Sequence, residues 1–155
     1  MPARIDLPAD PAIRKILVIK WSAMGDVIIA SALFEDIALA FRGREIHLNT
    51  LPAWEGLFAR DPRFQRVFAT DLRDSRHPLA AMREWLRRVR QSHYDLIIDL
   101  QSNDRSRILL SLLRLSGARI PYRIGTNRQW PYNIVPQMTF PQSTHILTRM
   151  RAALQ

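Results

Sequence analysis

Short apolar runs alternate with longer helical segments along this chain, and this alternation constrains the fold more than any other feature. The clearest run is Tyr94–Leu100 (YDLIIDL), and Arg14–Lys20 (RKILVIK) is a second. Runs of this length, rich in Ile, Leu and Val, are typical of strands buried on both faces. Strands that alternate with helices favour βαβ units. We therefore predict an α/β fold, in which a parallel sheet carries helices on both faces.

Periodicity and helix breakers predict the remaining elements. We expect further strands at 45–49, 66–69 and 121–124, and helices at 54–59, 78–92, 104–115 and 144–154, with a first helix from about residue 27 that Gly43 closes. The predicted core-facing helical residues are Val27, Ile28, Leu33, Phe34, Ile37, Phe41, Leu79, Met82, Leu86, Val89, Ile108, Leu109, Leu112 and Leu115. Trp54, Trp85 and Trp130 are expected to be packing residues.

Length and composition exclude several classes of protein. The 155 residues are enough for one domain with a hydrophobic core. The absence of cysteine excludes disulfide scaffolds, thiolate zinc sites and cysteine nucleophiles. No apolar run approaches the roughly 20 residues of a membrane span, and the proline-rich first fifteen residues do not resemble a signal peptide. We expect a cytoplasmic chain.

Charge is the unusual feature of the composition. Twenty-three basic residues against fourteen acidic ones give a formal net charge of +9, and all the basic residues except Lys15 and Lys20 are arginines. The planar guanidinium suits phosphate and carboxylate groups, so an anionic partner is expected: an acidic small molecule, a membrane surface or nucleic acid. The alternative is a solvated basic surface without a specific partner.

Two loops follow the strongest predicted strands, where parallel sheets bind ligands. The first loop holds Lys20, Ser22, Gly25 and Asp26. Its glycine permits a tight turn, and the start of the following helix offers N–H groups to an anion. A lysine, a hydroxyl and a carboxylate together could hold a hydroxylated, anionic substrate and take a proton from it. Two alternatives stay open, namely Asp26 as the helix cap and Lys20 as the solvent end of the strand.

The second loop, residues 100–106, is dense in polar groups. Gln101, Arg105 and Ser106 are candidates to bind sugar hydroxyls or phosphate. Capping of the following helix by one of residues 102–104 is a competing role that can hold at the same time.

A separate set of arginines, Arg83, Arg87 and Arg90, shares one helix face and could rest on anionic lipid or nucleic acid, or be a solvated face. The four histidines have no mutual ligand spacing, so no metal site is expected.

Three segments taken together resemble a known family. ILVIKWSAMGDVIIASALFEDIALAF, EIHLNTLPAWEGLFARDPRFQRVF and YDLIIDLQSNDRSRILLSLLRLSGARIPYRIG are similar, in this order, to the ADP-heptose:lipopolysaccharide heptosyltransferases of glycosyltransferase family nine. The motifs K-x-S-x-M-G-D and Y-D-x-x-I-D-L-Q are specific for this family when they occur together, whereas either motif alone is a weak signal. Two departures are Ser31-Ala32-Leu33, where a proline is common, and Ser102, where a glycine is common. These departures bear on which acceptor is used.

The resemblance implies the amino-terminal half of a GT-B fold. Residues 1–13 would be an N-terminal tail, 14–143 a Rossmann-like acceptor-binding domain, and 144–155 a terminal helix that leads to a donor-binding domain outside this chain. Without that donor domain, the chain alone is expected to be inactive.

The resemblance also implies an activity. Asp26 would be the general base of an inverting, metal-free transfer from ADP-heptose, with no cofactor. Lys20, Ser22, Gly25, Gln101, Arg105 and Ser106 would line the acceptor cleft. The acceptor would be the phosphorylated inner core of lipopolysaccharide, at the cytoplasmic face of the inner membrane. A non-catalytic module that binds anionic glycolipid or membrane is the alternative, and no nucleic-acid motif supports a nucleic-acid partner.

Overall fold

A computed structural model describes residues 6–72, 75–125 and 130–134, and the following statements concern this part of the chain. It contains five strands and four helices that alternate along the chain. In order they are β1 Lys15–Ile19, α1 Met24–Ala40, β2 Glu45–Thr50, α2 Pro52–Phe58, β3 Arg66–Ala69, α3 Pro78–Ser92, β4 Leu96–Asp99, α4 Asp104–Leu115 and β5 Tyr122–Ile124. The alternation predicted from the apolar runs is confirmed.

The five strands form one parallel sheet in the order β3-β2-β1-β4-β5. The central strand β1 pairs with β2 on one side and with β4 on the other, so that Ile19 lies opposite both Asn49 and Asp99. All the strands end at the same edge, which we call the carboxyl edge. The predicted α/β class with a parallel sheet is confirmed, and the loops after β1 and β4 are neighbours at this edge.

Alternation along β1 separates two core layers, because successive side chains of a strand point to opposite faces. Ile16 and Val18 pack in one layer with α1 and with Phe58 of α2. Leu17 and Ile19 pack in the other layer with α3 and α4. Complete burial of each such side chain contributes about 1.5–3 kcal/mol to the free energy of unfolding. Helices cover both faces of the sheet, as predicted.

The buried face of α4 differs from the predicted one. Ile108, Leu112 and Leu115 are exposed, the last to 77%. The residues that α4 buries are Ser106, Leu109, Leu110 and Leu113. Both sets have helical spacing, so periodicity alone does not choose between them. Packing of α4 on the sheet beside α3 selects the second set, and the prediction for Ile108, Leu112 and Leu115 is wrong.

Two other predicted core positions are also wrong. Ile28 is 58% exposed. The buried face of α1 runs through Val27 and Ala30, and Ile28 lies about 100° around the helix from Val27, outside that face. Leu79 is 74% exposed, and the deepest side chain of α3 is Trp85. Of the predicted packing tryptophans, Trp130 is 52% exposed and lies under the Arg114 guanidinium.

The predicted helix at 144–154 lies outside the described residues. Within residues 6–13, Leu7 and Ile13 are buried in the core layer that contains α1. No helix of the described part of the chain combines the length and apolar character needed to cross a bilayer.

Candidate functional site

The loops after β1 and β4 are joined directly at the carboxyl edge. Gln101 Oε1 accepts hydrogen bonds from Trp21 N at 3.1 Å and from Ser22 Oγ at 2.8 Å. Lys20 Nζ donates to the Leu100 carbonyl oxygen at 3.4 Å. Two segments about 80 residues apart in sequence therefore form one surface, as the strand-end rule predicts.

Asp26 lies in the first turn of α1, where it is exposed. The N-cap of this helix is Ala23, which has no side-chain acceptor. The interpretation of Asp26 as the helix cap is therefore wrong. A carboxylate in the first turn still interacts favourably with the helix dipole, and its exposure leaves it accessible to a substrate hydroxyl.

Lys20 is almost completely buried, with 3% of its surface exposed, so the alternative of a solvent-exposed strand end is wrong. Burial lowers the pKa of the Lys20 ammonium, and the nearby charges of Asp26 and Asp99 partly oppose this effect. Lys20 and Asp26 thus belong to the same segment from the end of β1 to the first turn of α1, with the lysine buried and the carboxylate exposed.

Gly25 does not form the tight turn expected of it. It belongs to the first turn of α1, and its φ is not positive, unlike that of Gly43 and Gly117. A Cβ added at Gly25 would meet nothing within 4 Å. The glycine thus leaves open space beside the helix start rather than bending the chain.

Ser106 is fully buried and belongs to the cap of α4. Asn103 Oδ1 accepts from Ser106 N at 3.0 Å, and Ser106 Oγ accepts from Asn103 N at 3.1 Å. The competing capping role is therefore present, with Asn103 as the cap. Ser106 has no exposed surface in the structure, whereas Arg105 is exposed and Gln101 half-buried.

Asp99 is a residue of the site that the sequence analysis did not single out. It is 1% exposed, and its carboxylate accepts from Gln101 N at 2.9 Å, Ser102 N at 2.8 Å and Tyr132 Oη at 2.6 Å. Burial raises the pKa of the Asp99 carboxyl, and the hydrogen bonds from Ser106, Tyr132 and the two backbone groups partly oppose the rise. An Asp at the end of a fully apolar strand is the sequence signal for such a buried carboxyl.

One buried polar atom at the carboxyl edge has no partner. Thr50, at the end of β2, is fully buried, and its Oγ1 makes no hydrogen bond within the described residues.

The arginine stripe on α3 is only partly available to an anion. Arg87 donates to Glu84 with a shortest distance of 2.6 Å, and Arg88 lies 3.8 Å from the same carboxylate. Arg83 and Arg90 are exposed. Glu84 therefore pairs with both arginines, and the shorter ion pair is the one with Arg87.

Comparison with known proteins gives a consistent result. No family model matches the chain. Lipopolysaccharide heptosyltransferase 1 of Campylobacter coli is 27% identical over 99 residues, which are 64% of this chain and 28% of that protein. The chain therefore spans less than a third of the length of this relative.

Among solved structures, E. coli heptosyltransferase WaaC with ADP-2-deoxy-2-fluoro heptose superimposes with a TM-score of 0.69 and 19% identity, over 90% of this chain and 47% of that one. The glycosyl transferase family 9 protein from Veillonella parvula gives a TM-score of 0.61 and 18% identity, over 72% of this chain and 31% of that one. These likenesses establish the fold. Together with the sequence similarity, they confirm that this chain resembles a part of the heptosyltransferases of glycosyltransferase family nine.

Proposed function

We propose that this chain supplies the acceptor-binding side of an inverting glycosyltransferase, which transfers heptose from ADP-heptose to the acidic inner core of lipopolysaccharide. Asp26 is the general base, and the loops after β1 and β4 hold the acceptor. The donor site is expected on a second half that the described residues do not include. The enzyme is expected to work at the cytoplasmic face of the inner membrane.

The observation that carries this proposal is the exposed carboxylate of Asp26 in the first turn of α1, which begins directly after the loop that holds the buried Lys20 at the carboxyl edge. Lys20 is tied to the loop after β4, and Gln101 ties the same loop to Ser22. The base therefore lies next to a surface built from two loops, where an acceptor can be oriented before reaction.

The proposed step needs no group beyond the two substrates. The Asp26 carboxylate takes the proton of an acceptor hydroxyl, and that oxygen forms a bond to the anomeric carbon of the heptose. The bond from the anomeric carbon to the ADP oxygen breaks, and its electron pair leaves with ADP. One displacement inverts the anomeric configuration. A base of this kind contributes about 10²–10⁴-fold to rate.

The test is heptose transfer by the full-length product of the reading frame that carries this chain. Asp26→Asn is expected to lower kcat by about 10²–10⁴-fold with little change in acceptor affinity. The matched control is Glu35→Gln, which removes a carboxylate from the same helix about 13 Å farther along its axis. Near-normal turnover by Asp26→Asn would remove Asp26 from this role, and absence of transfer by the unaltered protein would remove the activity.

A non-catalytic module that binds anionic glycolipid or membrane is the second candidate, favoured by the exposed Arg83 and Arg90 on α3 and the net charge of +9. It predicts sedimentation with anionic liposomes that survives Asp26→Asn and is lost when Arg83, Arg87 and Arg90 are all changed to Gln. Neutral liposomes are the control, because attraction to an anionic surface is electrostatic.

A further inference from the structure

Helix α4 leaves a row of large apolar side chains uncovered. Ile108, Leu112 and Leu115 follow one another at spacings of four and three residues, which places them on one side of the helix. They are 53%, 37% and 77% exposed, whereas the opposite side of α4 is buried against the sheet. A single exposed apolar residue needs no explanation, but a contiguous row of them marks an interaction surface.

Trp130 widens this row. Its ring is exposed, and two arginines of α4 hold the residue in place. The Arg114 guanidinium carbon lies 4.3 Å from the centroid of the indole, and Arg107 Nε donates to the Trp130 carbonyl oxygen at 3.4 Å. A groove of about 420 Å³ lies between the indole and the helix, and its lining residues are Asp104, Arg107, Ile108, Ser111, Leu112 and Trp130. We call the three aliphatic side chains of the row and Trp130 the α4 face.

Arginines flank the α4 face on both sides. Each residue of a helix turns by about 100°, so Arg105 lies about 60° around α4 from Ile108 on one side. Arg107 and Arg114 lie about 100° and 120° from Ile108 on the other side. The one carboxylate of α4 belongs to Asp104, which pairs with Arg107 at 3.3 Å. The surroundings of the apolar row therefore carry a net positive charge.

Charge decides which partner fits this surface. A second copy of the chain would bring its own arginines against the same arginines, and like charges repel. An anionic lipid bilayer instead offers acidic headgroups to the arginines and acyl chains to the apolar row. Tryptophan and arginine suit the boundary between the two layers, because each has an apolar body and a polar end.

We propose that the α4 face binds an anionic membrane surface. Its aliphatic side chains and the Trp130 ring enter the boundary between headgroups and acyl chains, and the flanking arginines bind lipid phosphates. Helix α4 begins at the carboxyl edge, so a membrane along this face lies beside the two loops of the candidate site. This inference rests on the proposed function, since it names the surface through which the enzyme reaches an acceptor held in a membrane.

The arginine stripe on α3 fits a membrane less well. Arg87 is paired with Glu84 at 2.6 Å, which neutralises the middle of the stripe. Leu79 is the one large apolar side chain of α3 that is exposed, and it lies at the other end of the helix from Arg90. The stripe therefore offers charge without a row of side chains that can enter lipid.

The test is sedimentation of the full-length protein with vesicles of phosphatidylglycerol mixed with phosphatidylethanolamine. Vesicles of phosphatidylcholine are the neutral comparison, and we expect them to bind more weakly. Ile108→Gln combined with Leu115→Gln should weaken binding to the anionic vesicles by about tenfold or more, because two apolar side chains no longer enter the lipid. Arg114→Gln should weaken it by about fivefold, because one cation near the membrane surface is lost.

Two variants on α3 are the matched controls. Leu79→Gln removes an apolar side chain that is 74% exposed, and Arg83→Gln removes an exposed guanidinium. Both should leave binding nearly unchanged. Unaltered binding by the Ile108 and Leu115 double variant would overturn the proposal. Loss of binding only when Arg83, Arg87 and Arg90 are all changed to Gln would also overturn it and assign the membrane to α3.

No binding of the unaltered protein to anionic vesicles would overturn the proposal as well, and an acidic protein would then be the partner that the charges fit. All the substituted side chains are exposed, so urea denaturation should give the same unfolding free energy for each variant.

Trp130 allows a second measurement of the same contact. It is the most exposed of the four tryptophans, since Trp85 is buried and Trp21 and Trp54 are half-buried. Lipids that carry bromine on their acyl chains quench the fluorescence of an indole that enters the membrane. Anionic vesicles of such lipids should quench the unaltered protein, and Trp130→Phe should reduce the quenching. Equal quenching of the two proteins would contradict the proposal.

Failure of this inference is distinguishable from failure of the proposed function. Asp26→Asn should lose heptose transfer and keep vesicle binding. The Ile108 and Leu115 double variant should lose vesicle binding and keep transfer to a water-soluble acceptor saccharide without lipid. A protein that binds vesicles through the α4 face but transfers no heptose contradicts the transferase proposal alone. A protein that transfers heptose but binds no anionic vesicles contradicts the membrane proposal alone.

Discussion

At the scale of single residues, the amide of Asn49 satisfies three side chains and one carbonyl inside the core. Asn49→Ala would leave two indole N–H groups and the Thr70 hydroxyl without this partner. Each buried donor that loses its acceptor costs about 1–3 kcal/mol. We expect the free energy of unfolding to fall by about 3 kcal/mol or more, measured by urea denaturation.

Asn103→Ala is the comparison for this prediction. Asn103 is exposed and accepts one hydrogen bond as the cap of α4, so its loss should cost only about 1 kcal/mol. An equal loss of unfolding free energy in the two variants would contradict the role of Asn49 as the shared partner of buried polar groups.

Single residues also show which parts of the site the sequence predicts. The place of Asp26 follows from local order, because a residue just after a buried strand in an α/β chain lies at the carboxyl edge. The burial of Asp99 does not follow from local order. Its carboxylate depends on Tyr132, 33 residues farther along, which packs over the strand end and donates to it. Contacts between distant segments of this kind leave no periodic pattern in the sequence.

At the scale of elements, Gln101 couples the loop after β4 to the loop before α1. Gln101→Ala removes the acceptor for Trp21 N and Ser22 Oγ. We expect a loss of about 2 kcal/mol in unfolding free energy and up to about a hundredfold in kcat, because misplacement of the segment before Asp26 disturbs the reacting geometry. Both quantities are measured on the full-length protein.

Gln65→Ala provides the matched control for this coupling. Gln65 Oε1 likewise accepts a backbone hydrogen bond across two elements, from Ile46 N at 2.6 Å, but it does so where β2 begins, away from the carboxyl edge. It should lose stability and keep kcat. If Gln101→Ala keeps kcat as well, the coupling of the two loops has no part in the reaction.

Helix α4 marks the limit of prediction at this scale. Its bounds follow from the sequence. Asn103 caps the start of the helix, and Gly117 lies just beyond its end with a φ of +81°. Its buried face does not follow, because leucine or isoleucine lies on both sides of the helix. The choice is made by the neighbouring helix and the sheet, which the sequence of α4 alone does not contain.

At the scale of the whole molecule, the free energy of unfolding is linked to pH through His47, which is 3% exposed. The Glu45 carboxylate can only accept, so the His47 Nε2, 2.7 Å away, carries the hydrogen, and the unprotonated Nδ1 accepts from Tyr94 Oη at 2.8 Å. Burial lowers the pKa of His47 from 6.5, Glu45 partly opposes this, and Lys15 and Arg66 add to the lowering.

The sign of the effect follows from this lowered pKa. Below about pH 6.5 the unfolded chain binds a proton that the folded chain resists, so stability is lost as the pH falls through that range. His47→Gln should show a smaller loss between pH 7 and 5 in urea denaturation at each pH. An identical pH dependence in the variant would contradict this assignment.

The class of the whole fold is predictable, whereas its strand order is not. Apolar runs alternating with helices predict a parallel sheet with two covered faces, as observed. The order β3-β2-β1-β4-β5 requires that the chain turn back past β1 after β3, so that β4 pairs on the far side of β1. Nothing in the composition of the individual strands encodes that reversal, which places the loops after β1 and β4 side by side.

The bond between Tyr132 and Asp99 has a consequence for biosynthesis. The ribosome releases the segments that carry Lys20, Asp26 and Gln101 well before residue 132 emerges. At a translation rate of about 5–20 residues per second, Tyr132 is synthesised a few seconds after Asp99, to which its hydroxyl donates in the folded protein. During that interval the strands can pair, but the acidic group at the end of β4 lacks one of its hydrogen bonds. Maturation of the site thus ends with one of the latest-made parts of the described chain.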